Sequence, residues 1–324
     1  MGFPTFKIIN PGPYTTIQKL PKQTNAGKGI PTSGAFDCFA LKMGNLILKN
    51  PLDTSGIEIT GEGGELQVIR ETAIAVTGGV FNLKVNDKQI QQWCTVNLFK
   101  GDTISIGASE SGWRCYICVA GGVRTQHKPK VKSILAGERV NEPLARPLRK
   151  GDVLTTETPF ASLSKLTGRR VRENLLPIFG GEYEFRILPG PQFDQLKDES
   201  KEVFLNSSYR ASIHSDRECY RFEGPQLLFK LQNDRAIGES GTQVVENSGG
   251  LIQVIFGGEV VCTGPDFASA DDRVEIARLV TPDIGRIAQL KPKDHIRFKV
   301  VSAVEARSIF AQSISLICEE NILS

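Results

Sequence analysis

Trp113-Arg114-Cys115-Tyr116-Ile117-Cys118-Val119 is a run of aromatic, β-branched and small apolar side chains broken by a single arginine. These residue types pack well on a pleated surface, and the run reads as a strand. That assignment settles the C-x-x-C made by Cys115 and Cys118. Side chains three apart on a strand point to opposite faces, so the two sulfurs cannot hold one ion and are read as small core hydrophobes. His127, His214 and His295 stand in separate segments, without helical or finger spacing to any cysteine, and no metal site is expected.

Other β-prone runs, among them Ala73 to Thr77, Thr103 to Ile106, Gln253 to Phe256 and Ile296 to Val301, alternate with turn signals. Six Gly-Gly pairs, starting at 63, 78, 121, 180, 249 and 257, fall between these runs or at their ends, where tight corners need positive φ or no side chain. Lys100-Gly101-Asp102, Lys150-Gly151-Asp152 and Lys293-Asp294 share one turn chemistry at strand entries, which hints at an internally duplicated β unit. One helix stands out in the first half. Phe36, Phe39, Ala40, Met43, Leu46 and Ile47 recur at helical spacing, Ser33 is the expected N-cap, and Asn50-Pro51 ends the segment. Ser33-Gly34-Ala35 would then offer backbone N–H groups to a carboxylate or carbonyl oxygen, or Ser33 and Asp37 would merely cap and charge the first turn.

At 324 residues the chain is long enough for two domains, each with its own core. The boundary is expected between Pro159 and Glu184, giving domains 1–165 and 166–324. The polar, basic stretch from Ser162 to Arg172 reads as a solvated linker, with a phosphate-binding patch as the alternative. With 39 basic and 36 acidic side chains the formal charge is only +3, which gives no electrostatic reason to expect nucleic acid or an anionic membrane as partner. No apolar run approaches the ~18 residues of a membrane span, and no signal-peptide core opens the sequence. Seven scattered cysteines fit a reducing compartment, so a soluble cytoplasmic protein is expected.

Several short strings, taken together, carry a family resemblance. Thr15-Thr16-Ile17-Gln18 is followed, after twelve intervening residues, by Pro31-Thr32-Ser33-Gly34-Ala35-Phe36-Asp37; then come Gly56-Ile57-Glu58-Ile59-Thr60, Val119-Ala120-Gly121-Gly122 and Arg186-Ile187-Leu188-Pro189-Gly190-Pro191-Gln192. Ser215-Asp216-Arg217-Glu218-Cys219-Tyr220-Arg221-Phe222-Glu223-Gly224-Pro225 is the most specific of the set, and Ile252-Gln253-Val254, Ala288-Gln289-Leu290, Asp294 and Arg297-Phe298 complete it. In order and spacing they resemble the biotin-dependent carboxyltransferase family, also called allophanate hydrolase subunit 2, which includes one of the subunits of bacterial 5-oxoprolinase. The resemblance implies a mainly β protein of two tandem cyclophilin-like β-barrel domains with a few short helices.

It also implies a partnership with an allophanate hydrolase subunit 1 type protein in a composite ATP-dependent amidohydrolase or biotin-dependent carboxyltransferase acting on a small amide or lactam. No cofactor is expected to bind tightly to this chain alone; ATP or carboxybiotin would come through the partner complex. By the same resemblance, Asp216, Arg217, Glu223 and Asp266 are the catalytic candidates, and Gln18, Ser33, Gly34, Asp37, Arg221, Gln253 and Ser269 the substrate-binding ones. Asp216-Arg217 and Arg221-x-Glu223 could clamp a ligand carboxylate or could form a structural ion-pair network.

The departures are concentrated where the chemistry should be. Lys19, Pro21 and Lys22 stand where the family has Asp, Gly and Arg. After Asp266 the family's R-Q-T-T-G-G-Y-P is replaced by Phe267-Ala268-Ser269-Ala270-Asp271-Asp272-Arg273-Val274, and Lys130 to Ile134 replaces a G-S-R-S-T. These changes predict poor turnover of 5-oxoproline. They keep open a second function, a non-catalytic binding or regulatory relative of the kind linked to control of a sporulation kinase inhibitor.

Overall fold

A computed structural model describes residues 2–21, 33–125, 146–156, 163–230, 249–255, 257–267 and 273–323. The regular structure is mainly β, with short helices at Cys38–Ile47, Asp198–Asn206, Thr281–Ile287 and Ala303–Ser315. The chain forms two compact units, Met1–Leu20, Asp37–Phe179 and Ser315–Ser324 in the first, Pro21–Phe36 and Gly180–Ile314 in the second.

Ten strands of the first unit make one sheet. Its centre is the antiparallel pair Thr72–Val85 and Thr103–Val119, with Ile74 opposite Val119 and Val76 opposite Ile117. The second of these strands is long enough to serve two further neighbours, pairing Gly56–Thr60 through its C-terminal half and Glu65–Val68 through its N-terminal half. The run Trp113 to Val119 therefore lies mid-sheet with both faces covered. Cys115, Ile117 and Val119 join an apolar core with Phe6, Ile57, Ile74 and Leu98. Cys118 faces the other way, its Sγ 3.5 Å from the Leu41 carbonyl oxygen of the helix above. Burial pushes both thiols far above their ordinary range, as expected for cysteines used as small hydrophobes. Gly44 explains how the helix comes so close to the sheet: a Cβ there would sit 2.6 Å from Cys118 Sγ.

The helix cap differs from the sequence expectation. Asp37, not Ser33, is the N-cap, its Oδ1 accepting the Ala40 N–H at 3.0 Å, and the helix starts at Cys38. Phe36, which opens the helical period in the sequence, instead packs edge-on against Tyr220 in the core of the second unit. Ser33-Gly34-Ala35 accordingly precedes the helix and does not supply its first N–H groups.

In the second unit, Glu182–Pro189, Val274–Leu279, Leu251–Val254, Val260–Thr263, Cys219–Glu223, Tyr209–Ala211 and His295–Val300 pair in that order and close into a barrel. Closure comes from the parallel pairing of the first and last strands, Glu182 to Ile187 against His295 to Val300. Phe204, Tyr209, Phe222 and Phe298 form an aromatic cluster inside. Closure is confined to this unit: among the described residues the first unit's sheet stays open, a half-barrel.

The three Lys–Asp turns prove alike atom by atom. Asp102 Oδ2 accepts the Phe99 N–H at 2.7 Å, Asp152 Oδ2 the Arg149 N–H at 2.9 Å and Asp294 Oδ2 the Lys291 N–H at 2.8 Å. The residue before each aspartate has positive φ, +98° at Gly101, +89° at Gly151 and +77° at Lys293. In each turn its N–H reaches a neighbouring strand, at Val68, Ile8 and Ala211 respectively.

Candidate functional site

The candidate residues fall in both units. In the first, antiparallel register puts Thr16 opposite Glu58 and Glu58 opposite Tyr116, so these side chains share one sheet face. Tyr116 donates its hydroxyl hydrogen to Glu58 Oε2 at 2.6 Å and accepts the Asp37 N–H at 2.8 Å. Arg114 Nε lies 3.8 Å from Glu58 Oε1, and Glu58, Tyr116 and Arg114 are all buried. Burial, then the charges of Glu58 and Asp37, push the Tyr116 hydroxyl well above its ordinary range, so it stays a proton donor. Gln18 lies on the same face, its Nε2 donating to Thr16 Oγ1 at 3.1 Å. Asp37 is committed to the helix cap. Glu58 and Tyr116 are absent from the sequence candidates; their signal was a lone acid inside the apolar strand Gly56-Ile57-Glu58-Ile59-Thr60.

In the second unit, residues far apart in sequence meet around one guanidinium. Arg217 is buried and donates from Nε to Asp266 Oδ2 at 2.7 Å and from Nη2 to Asp266 Oδ1 at 3.1 Å and to the Gly34 carbonyl at 2.5 Å. Ser33 donates its hydroxyl hydrogen to the same Asp266 Oδ1 at 2.8 Å. Four of the candidates thus form one assembly. Gly264 makes it possible, since a Cβ there would lie 2.0 Å from the Arg217 carbonyl oxygen.

The other acids and bases of the Ser215 to Pro225 segment do not join this assembly. Exposed Asp216 caps its own turn, its Oδ1 accepting the N–H groups of Glu218 and Cys219 at 2.8 Å each. Glu223 is exposed and pairs with Arg210 on the adjacent strand, Nε to Oε2 at 3.0 Å. Arg221 lies 3.4 Å from Glu259, both half-exposed.

Arg221 and Gln253 are nevertheless brought onto one surface. Arg221 pairs with Val261, Val261 with Gln253 and Gln253 with Glu275, so the four stand in a row across four strands. Their sequence neighbours Tyr220, Phe222, Ile252, Val254, Cys262 and Ile276 fill the barrel, so the row faces outward. Gln253 is buried, and its Oε1 has no hydrogen-bond partner among the described residues. Glu275, also unforeseen from sequence, is buried beside it, with Arg278 Nη2 3.6 Å from its Oε1. Burial raises the Glu275 carboxyl above its ordinary range, more than Arg278 lowers it. Gln192, at the end of the Arg186 to Gln192 motif, accepts the Glu275 N–H on its Oε1 at 2.7 Å and fixes that strand. Arg186, at the start of the motif, is structural: it holds the buried Asp283 through two of its guanidinium nitrogens, Nε and Nη2.

Ser269, together with Lys22, His127 and the stretch Lys130 to Ile134, lies outside the described residues. Among the described residues no group of three or more His, Cys, Asp or Glu side chains could hold a metal ion, and no helix is long and apolar enough to cross a membrane.

Comparison with known proteins gives this geometry a context. Residues 28–300 match the family model described as carboxyltransferase domain, subdomain A and B. The urea amidolyase of Lachancea kluyveri is 29% identical over 315 residues, covering 94% of this chain but only 17% of that protein. A 5-oxoprolinase subunit of Escherichia coli is 28% identical over 302 residues, 93% of this chain and 92% of its own length. The crystal structure of the Kluyveromyces lactis urea carboxylase superposes over 100% of this chain and 30% of that one, with a TM-score of 0.82 at 25% identity.

Proposed function

Because the chain belongs to the carboxyltransferase-domain family, subdomains A and B, we propose that it is the carboxyltransferase-type part of a composite ATP-dependent enzyme acting on a small amide or lactam. The observation that carries this is the assembly of Ser33, Gly34, Arg217 and Asp266 around one buried guanidinium. Its polar groups answer one another, so Arg217 is a positioning residue: it ties the Ser33 segment to Asp266, where the replaced loop begins. Chemistry on a planar amide needs an acceptor for the N–H and a donor for the oxygen on which charge develops. On the outward row of the second unit Gln253 supplies an acceptor and Arg221 a donor. ATP or carboxybiotin reaches the site through the complex formed with an allophanate hydrolase subunit 1 type partner and an ATP-using component, in keeping with relatives that are a separate subunit in one case and far longer proteins in the other.

A non-catalytic binding role is the second reading, and it is favoured by Phe267, which is buried where the resembled pattern has an arginine. The two separate by experiment. Co-expression with the subunit 1 type protein from the same genome should give co-elution, and the purified complex should consume urea or another small amide when ATP is added, with 5-oxoproline a poor substrate. Separate elution at micromolar concentration removes the composite enzyme. Co-elution without ATP-dependent consumption of urea, 5-oxoproline or related small amides leaves the binding role.

A further inference from the structure

We propose that Gln253 and Glu275 form the N–H-recognising floor of a ligand site on the outer face of the second unit's barrel, and that the ligand is a small planar amide, uncharged at its N–H edge. The proposal rests on the amide-transfer role above and adds where the amide is recognised and by which atoms. Gln253 Oε1 is buried without a partner among the described residues. A buried acceptor left unanswered costs stability, and a ligand N–H removes that cost. Glu275 stands directly opposite on the next strand, so their side chains leave the sheet about 5 Å apart. That spacing suits two N–H groups on one edge of an amide or ureide, or one N–H shared between them.

The surroundings select the charge of that edge. Arg221 stands in the same row, Arg278 lies 3.6 Å from Glu275, and Arg273 reaches Cys219 Sγ on the same face at 3.7 Å. Set against the carboxylates of Glu259 and Glu275, the three guanidinium groups still leave one positive charge in excess, which disfavours an amidinium or ammonium and favours a carbonyl or carboxylate at the far end of the ligand. Arg221 and Arg278 are partly exposed while Gln253 and Glu275 are buried, so solvent reaches the guanidinium groups and not the amide and carboxyl beside them.

The test is isothermal titration of the full chain with 5-oxoproline and with its N-methyl derivative, which keeps the ring and carboxylate and lacks the N–H. Wild type should bind 5-oxoproline about 10-fold or more tightly than the N-methyl compound. Gln253→Leu should abolish that preference and melt at the same temperature or higher, because the buried Oε1 that it removes has no hydrogen-bond partner among the described residues. Retention of the preference in Gln253→Leu, a melting temperature several degrees lower, or no binding of either compound to wild type at about 10 mM overturns the proposal. Should Gln253→Leu fail to fold, Glu275→Gln takes its place: weakened 5-oxoproline binding is expected, and unchanged binding overturns the proposal. Binding at Gln253 without turnover by the complex defeats the catalytic role and leaves the site, whereas turnover retained in Gln253→Leu defeats the site alone.

Discussion

Arg217 and Glu223 look alike in sequence, two charges in one motif, and the fold puts them to opposite uses. Arg217 is 4% exposed and its carboxylate partner is 49 residues away, so Arg217→Ala strands part of a desolvated charge network and should cost about 3 kcal/mol in a denaturation experiment. Glu223 meets Arg210 at the surface, and Glu223→Ala should leave the melting temperature within about 2 °C. Equal losses in the two variants would contradict this division. Glu275 gives a pH-dependent outcome. Its folded-state carboxyl is raised, chiefly by burial, so its contribution favours folding below the unfolded pKa and is lost as pH rises through the folded one. Glu275→Gln should therefore raise the melting temperature at pH 7, with a gain that shrinks towards pH 4; a gain that grows on acidification would show that the sign is wrong. Residue types in a motif were legible in the sequence, but their partners were not, since Ser33, Arg217 and Asp266 are joined only by the closed fold. Neither Glu58, although it lies within one of the resemblance motifs, nor Glu275 is marked as a site residue by sequence, because a lone acid in an apolar strand has no spacing signature.

At the scale of elements, strands and turns were the most readable parts. Period-two side chains in Trp113 to Val119 correctly sent Cys115 and Cys118 to opposite faces, and the aspartate turns were visible as a repeated dipeptide because the turn itself selects the residues. The helix cap was misread since Phe36 continues the apolar period of the helix while belonging to another core, and Asp37, one residue on, has the side chain that reaches Ala40 N. The third turn carries a lysine in the left-handed region where its two counterparts have glycine. Lys293→Gly should relieve about 1 kcal/mol of backbone strain, less the extra freedom of glycine in the unfolded chain, and a small rise in melting temperature is expected. A fall would mean that the lysine side chain contributes more than the strain costs. Gly264→Ala should have the opposite outcome, costing about 2–3 kcal/mol, because the added methyl meets the Arg217 carbonyl and the backbone must shift. Wild-type stability in that variant would show that the close approach is not needed.

On the scale of the whole molecule, the family was legible from the joint order of short motifs, and its carboxyltransferase-domain model spans residues 28–300. The fold keeps the motif residues, with Arg217 and Asp266 acting as a brace and Arg221 and Gln253 presented on an outward polar row. Arg221 is only loosely held by Glu259 at the surface, so it can be removed with little loss of stability. The most direct measurement is amide-stimulated ATP hydrolysis by the purified complex with the proposed subunit 1 type partner and the ATP-using component of that complex, wild type beside Arg221→Ala. The expected result is stimulation by urea or another small amide in wild type, with kcat/KM for the amide about 100-fold lower in Arg221→Ala while the complex stays intact. No stimulation in wild type, or the same kcat/KM in both proteins, would contradict it.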